Sequence, residues 1–296
     1  MTSQMTIIDS TKPFDFNRIK LTAPKANARG GMVAAIKVVD PVKFTESAFF
    51  ISTPFLTCWG SQRRQDADGN PTDNYSVSLQ LAAPGSNYST PATDATLKFL
   101  EDLEKRVTQL VFEGSEEYFG TCYDDVRFVE PLCTHHLKYP KIKGTRKFDY
   151  TKGPSLPVKF PRYNDVWQTE FYNDKGEILY TKSMVKKMNE LNQDNLDEDL
   201  STHAPLNFAP KLCELKSLMG STGVWFVNGK YSIVWYAKQC VVKLPDAMKE
   251  GCLLLGIEES EETQNVQNLT VVNDDEGDLK LLTHDNNNDG NYDDNY

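Results

Sequence analysis

The sequence predicts a mainly β protein: a strand-built body with one long helix, followed by an acidic tail. Three observations predict it. Short β-branched, aromatic or alternating runs recur from Met32 to Val242, punctuated by turn residues. One segment, Pro91 to Glu113, keeps a helical period. From Glu258 onward there are very few large apolar groups, too few to offset the entropy of ordering the chain. At 296 residues the chain has room for one or two domains. The division expected is a body over 1–257, with an acidic insertion at about 182–207, and a disordered acidic tail over 258–296.

Met32 to Val39 is a short apolar run after Gly30-Gly31, and Phe49 to Leu56 is aromatic and β-branched. Tyr75, Val77, Leu79 and Leu81 alternate with Ser76, Ser78 and Gln80, which reads as a half-buried strand. The inserted helix, about 93–113, places Leu97, Leu100, Val107, Leu110 and Val111 on one face. Thr93 with Thr96 can start it and Gly114 ends it. A second short helix is expected at Ser115 to Phe119 or Asp124 to Val129. Val166 to Tyr172 and Glu177 to Thr181 flank a turn at Asn173 to Gly176. Val224 to Val227 and Lys230 to Val242 flank Asn228-Gly229, the pair favoured in type I′ hairpins.

Net charge is −10, but it is unevenly placed. The tail holds twelve acids against Lys280 alone, which leaves the rest of the chain at +1. A second run, Glu190 to Asp199, holds five acids and no Lys or Arg, so the remaining body stands at +6. A basic body with acidic segments fits an anionic partner. No run approaches the ~18 apolar residues of a membrane helix, which argues against a membrane protein. The first residues lack the pattern of a secretory signal, and six cysteines are too sparse for a disulfide scaffold, so reduced thiols are expected.

Catalytic patterns are missing. No Gly-rich phosphate loop follows a strand, and Gly220-Ser221-Thr222-Gly223 reads as a turn. No nucleophile elbow or paired zinc-binding histidines occur. Cys133-Thr134-His135-His136 groups soft ligands but lacks a second pair, so it reads as two partly exposed histidines beside a buried thiol. Asp285 to Gly290 lacks the ligand spacing of a calcium loop. No enzyme activity, metal or cofactor is expected.

The strongest constellation is Lys138 to Tyr163. It holds Lys138, Lys141, Lys143, Arg146, Lys147, Lys152, Lys159 and Arg162 against Asp149. Interleaved are Tyr139, Phe148, Tyr150, Phe160 and Tyr163. Phosphates need cations and unpaired bases need flat π-faces, so the pair suits sequence-tolerant binding of single strands. The alternative is a solvated basic loop whose aromatics pack inward. Pro140, Gly144, Gly153, Pro154, Pro157 and Pro161 make most of it read as surface loop. Trp59 followed by Arg63-Arg64 at a strand end adds to the site, and Lys12, Arg18, Lys20, Lys25, Arg29 and Lys37 form a second basic stretch. Trp225, Phe226, Trp235 and Tyr236 alternate along a hairpin and read mainly as core, with a stacking platform as the other reading.

These residues resemble a known family. Phe16 to Pro24, Phe50 to Phe55, Trp59-Gly60, Leu137 to Pro140 and Gly223 to Tyr231 are similar to the single-stranded-DNA-binding proteins of large nucleocytoplasmic DNA viruses. More distantly they resemble the single-strand binder of short-tailed coliphages. The resemblance covers most of 14–245 and implies an OB-fold-like barrel. It also implies an acidic tail ending in an aromatic, which Asp293, Asp294 and Tyr296 supply. The function it implies is sequence-tolerant binding of single-stranded DNA in viral replication, recombination or repair, with the tail competing for the groove. The partners implied are single-stranded DNA, replication proteins met through the tail, and a second copy of the chain in a homodimer. The place implied is inside the infected host cell, in a virus factory or nucleus, not secreted. The alternatives are a virion or virus-factory structural protein with a basic surface, and a single-stranded RNA binder.

Overall fold

A computed structural model describes residues 5–27, 30–65, 68–164, 166–184, 205 and 207–245. The tail, and most of the acidic insertion at 182–207, lie outside the described residues. In chain order the strands are β1 (Met5–Asp9), β2 (Ile19–Leu21), β3 (Lys25–Ala26), β4 (Met32–Ala34), β5 (Ile36–Val39), β6 (Glu46–Gln65) and β7 (Pro71–Gln80). Helices α1 (Pro91–Glu113) and α2 (Ser115–Phe119) follow. Then come β8 (Ser155–Phe160), β9 (Arg162–Tyr163), β10 (Val166–Trp167), β11 (Glu170–Asn173), β12 (Ile178–Tyr180), β13 (Lys211–Val227) and β14 (Lys230–Lys243).

Five of these strands close a ring. β6 pairs with β7, β7 with β8, β8 with β14, β14 with β13, and β13 with β6. All pairs are antiparallel except β8 with β14. Numbered along the chain, the ring runs first, second, third, fifth, fourth, which is the order of an OB barrel. Closure removes the open edges that a flat sheet of these strands would present. The first part of β6 also carries β1 on one side and β5 on the other, so the wall extends beyond the ring.

Alternation decides what fills the barrel. Tyr75, Val77, Leu79 and Leu81 all point inward and are at most 2% exposed. They meet Leu56, Leu156, Val158, Leu215 and Trp235. α1 covers the barrel with Leu97, Leu100, Leu103, Val107 and Val111, each stabilising by about 1.5–3 kcal/mol relative to exposure. Asn228 and Gly229 both take positive φ, 49° and 72°, as a type I′ turn requires.

Several expectations need correction. The helix cap is Thr90, whose hydroxyl accepts from the Thr93 amide while Thr93 returns the bond. The short helix is Ser115–Phe119; over Asp124 to Val129 there is only a 3-10 turn. The run Met32 to Val39 breaks at Ala35, whose amide donates to the Thr22 hydroxyl. Val166 to Tyr172 likewise divides, β10 turning back on β9 and β11 joining β14. Gly220 to Gly223 is no turn but the middle of β13, bulged at Ser221 to Gly223. A Cβ on Gly220 would lie 2.6 Å from the Tyr236 hydroxyl and 2.7 Å from Phe50, so glycine lets those rings cross the strand.

The two histidines also differ from expectation. His135 is exposed, whereas His136 is buried between α1 and the barrel. The Trp235 indole N–H donates to His136 Nδ1 at 3.2 Å. Nε2 therefore carries the proton and donates to the Leu100 carbonyl at 3.2 Å. Burial holds the His136 pKa down to about 4, so the ring is neutral and ties helix to strand.

Candidate nucleic-acid interface

The basic–aromatic segment between α2 and β8 forms a hairpin-like arm. Its neck is a pair of backbone bonds, Lys138 N to Ser155 O at 2.8 Å and Ser155 N to Lys138 O at 2.9 Å. Further out, Asp149 N donates to Pro140 O and Ile142 N to Lys147 O. Gly144 and Thr145 make the tip. Lys141, Lys143, Arg146 and Lys147 stand exposed around it. Asp149 stiffens the base by accepting from the amide and hydroxyl of Thr151 and pairing with Lys152 at 3.4 Å. Those bonds from Thr151, against some desolvation, hold its pKa below the ordinary value and keep the carboxylate charged.

Local folding brings the three predicted aromatics together. The Tyr139 and Tyr150 ring centroids are 4.8 Å apart and those of Phe148 and Tyr150 6.3 Å apart. The rings are tilted by 59° and 58°, so they form steps, not a flat stack. Tyr150 is 69% exposed and Phe148 46%; Tyr139 is half-buried, its hydroxyl donating to Glu101 at 3.3 Å. Burial and then Glu101 push the Tyr139 pKa up to about 12, so it stays a neutral phenol.

Between arm and helix lies a cavity of about 250 Å³ whose lining includes Leu97, Lys98, Glu101, Tyr139, Tyr150 and Pro154. Asp94 and Glu101 lie on its helix side. Those acids repel phosphate, and the arm's cations attract it.

Trp59 belongs to the same surface but not at a strand end. It lies within β6, which continues to Gln65, at a bulge between Cys58 and Ser61. Gly60, at φ 90°, permits that bulge, and a bulge re-aims the neighbouring side chain. Trp59 is 45% exposed, and its indole donates to Gln80 Oε1 at 3.1 Å. Gln80 in turn donates to the carbonyls of Gly153 and Pro154, at 2.9 and 3.2 Å. One glutamine thus joins Trp59 on β6 to the root of the arm. Arg63 and Arg64 lie at the far end of β6, where Arg63 Nε donates to the Thr72 carbonyl. They do not join the aromatic cluster.

The prediction that 138–163 is mostly loop fails at Ser155–Phe160. That stretch is the third barrel strand, and Phe160 is 2% exposed and part of the core. Pro157 is tolerated because β8 meets β14 only at Val158 and Lys159. Along the β13–β14 hairpin, Phe226 and Trp235 face the core, while Trp225 and Tyr236 are half-buried on the outer side. The strict alternation was the signal that one ring of each pair points outward. Near Trp225, Lys25, Lys37 and Thr222 line a second cavity of about 210 Å³. Lys20 and Lys37 sit opposite one another across β2 and β5, a like-charge pair that costs stability. Asp293, Asp294, Tyr296 and Arg29 lie outside the described residues.

Exposure sharpens what each ring should do. Tyr150→Ala and Phe148→Ala are each expected to cost about 1–3 kcal/mol of single-strand binding. Exposed as they are, they should leave the melting temperature nearly unchanged. Affinity and melting measured on one sample check this; a lowered melting temperature with normal affinity defeats stacking.

No family model matches the chain, and no curated protein does. Among solved structures, the single-stranded DNA-binding protein of bacteriophage Enc34 in complex with ssDNA is 10% identical, with a TM-score of 0.35, over 76% of this chain and 96% of that one. Its C-terminal truncation gives 10% identity and the same TM-score over 77% and 96%. The same phage protein, in a third structure, gives 9% and 0.30 over 75% and 88%. That likeness is remote, and the functional reading rests on this chain's own residues.

Proposed function

We propose that the chain binds single-stranded DNA without reading its sequence, in the manner of a replication, recombination or repair accessory protein of a large DNA virus. The observation that supports this most is the arm itself. Three aromatic rings stand together, two of them well exposed, among Lys141, Lys143, Arg146 and Lys147. Bases gain from the rings and phosphates from the cations, and neither contact depends on base identity. The chemistry assembled there is that of binding. The resemblance of the sequence motifs to viral single-strand binders agrees with this reading.

A filter-binding titration against single-stranded DNA, duplex DNA and single-stranded RNA at several salt concentrations tests it. The expected result is preference for single-stranded DNA with an affinity that falls steeply with salt. Equal or tighter RNA binding would make the chain an RNA binder. No binding to any of the three at low salt would leave the structural-protein alternative.

In this proposal the tail competes for the same cations. Its charge of −11 is tethered to the body, at an effective concentration in about the millimolar range. DNA, with denser charge and stacking, displaces it and frees Asp293, Asp294 and Tyr296 for a replication partner. Removing 258–296 should therefore raise single-strand affinity, most at low salt, where screening is weakest. Tyr296→Ala should impair the partner contact and leave DNA affinity alone. A truncated chain that binds DNA no more tightly at any salt sinks the competition.

A further inference from the structure

We propose that Glu104, Cys133 and His135 form a binding site for a divalent ion of the zinc class, with a fourth position open to solvent. Sequence spacing offers Cys133, His135 and His136, and the structure takes His136 away, because Trp235 and Leu100 engage its ring. The fold supplies the third from elsewhere, the carboxylate of Glu104 on α1. One ligand atom from each of the three lies within 4.8 Å of the others. Cys133 is held in extended conformation by its pairing with Tyr231 and by the Thr134 amide donating to the Tyr231 carbonyl at 2.7 Å. Extended backbone puts residues 133 and 135 on one side.

The chemistry of the set selects the ion. Thiolate with imidazole favours zinc over magnesium or calcium, which take oxygen ligands. Thiolate and carboxylate together neutralise a 2+ charge. Binding breaks the S–H bond, forms a metal–sulfur bond and releases the proton to water. Outer partners are already present. The His136 amide donates to Glu104 Oε2 at 3.0 Å, and Cys133 pairs through its backbone with Tyr231, whose hydroxyl is bonded to Thr108 Oγ1 at 2.8 Å. In the metal-free chain His135 Nδ1 and Glu104 Oε1 bond each other at 2.7 Å; on binding, both atoms turn to the ion. The His135 side chain is 65% exposed, which leaves the ion's remaining position to water. His136 is not a ligand, because both its ring nitrogens are engaged by Trp235 and Leu100.

The site's place gives it a use. It fastens α1 to the segment that runs from Cys133 directly into the arm's neck at Lys138. An ion there would fix the arm's root independently of whether DNA is the arm's ligand.

Cobalt(II) titrated into the full chain after chelator treatment is the test. The expected result is a thiolate-to-cobalt charge-transfer band saturating at one ion per chain and displaced by zinc. Cys133→Ser should abolish the band, and Cys122→Ser, at an exposed thiol, should keep it. His135→Ala changes an exposed side chain and leaves the fold standing, so it decides the matter even if Cys133→Ser fails to fold. It should lose the one-to-one band. Zinc should raise the melting temperature of the parent chain by about 5 °C and that of His135→Ala not at all. No thiolate band, a band that survives Cys133→Ser, or unchanged binding by His135→Ala overturns the proposal.

Discussion

Replacing Lys143, Arg146 and Lys147 together by alanine is expected to weaken single-stranded DNA binding by about 100-fold in 0.1 M salt. Each phosphate contact on a single strand adds about 0.7 to the salt slope, so three contacts add about 2. A tenth-molar salt then costs the variant about two powers of ten relative to the parent, and near 1 M the two should converge. The loss should be the same for every sequence, because phosphates carry no sequence information. All three side chains are exposed near the tip of the arm and form no ion pair among the described residues, so the melting temperature should hold. Affinity measured from low to high salt on a folded variant checks both statements. An unchanged slope would move the DNA path to the Arg63-Arg64 end of β6 or to the lysines near Trp225.

Gly153→Ala is expected to lower the melting temperature by about 5–10 °C and to weaken DNA binding at the same time. A Cβ at 153 would overlap the carbonyl oxygen of Leu81 and lie 2.7 Å from backbone atoms of Ala82 and Ala83. These are main-chain atoms fixed by the barrel, so the arm's root must move instead. Moving it breaks the Leu81 N to Pro154 O bond of 2.9 Å and the Gln80 contacts that hold Trp59 beside the arm. Overpacking of this kind costs about 1–3 kcal/mol. Gln80→Ala separates the two effects, since it removes the bridge without inserting an atom. It should reduce affinity with a smaller thermal shift. A Gly153→Ala chain that melts and binds like the parent would mean the arm is not seated as described.

Local signals carried the parts of the fold that depend on local physics. Asn228-Gly229 fixed a hairpin because only those residues take positive φ cheaply. Tyr75 to Leu81 declared its inner face by alternation, and α1 by its period. β8 was hidden because Pro157 within it, Pro154 and Pro161 on either side, and the neighbouring lysines look like loop; only the ring of partners shows that Leu156, Val158 and Phe160 are core. The first half of β13 was overlooked for a related reason. Its inward positions, Cys213, Leu215, Ser217 and Met219, do alternate, but a serine stands among them and Leu218 lies on the other face, which blurs the apolar period. At the candidate site, residue types were legible and company was not. The meeting of Tyr139 with Glu101, of Trp59 with Gln80, and of Cys133 with Glu104 are all contacts between elements, invisible to spacing.

The closing of the ring between β6 and β13 has a cost in time. Roughly 145 residues separate the end of one strand from the start of the other. At about 5–20 residues per second, a ribosome takes about 7–30 s to deliver the missing strand after β6 is made. During that interval β8 can join β7, but the edge of β6 that β13 will cover stays unpaired beside Leu56. Loop closure over such a span is slow, and an exposed apolar edge invites association with other nascent chains. The ring therefore cannot close until β13 and then β14 have been made, and its yield depends on what shelters the open edge of β6 until then.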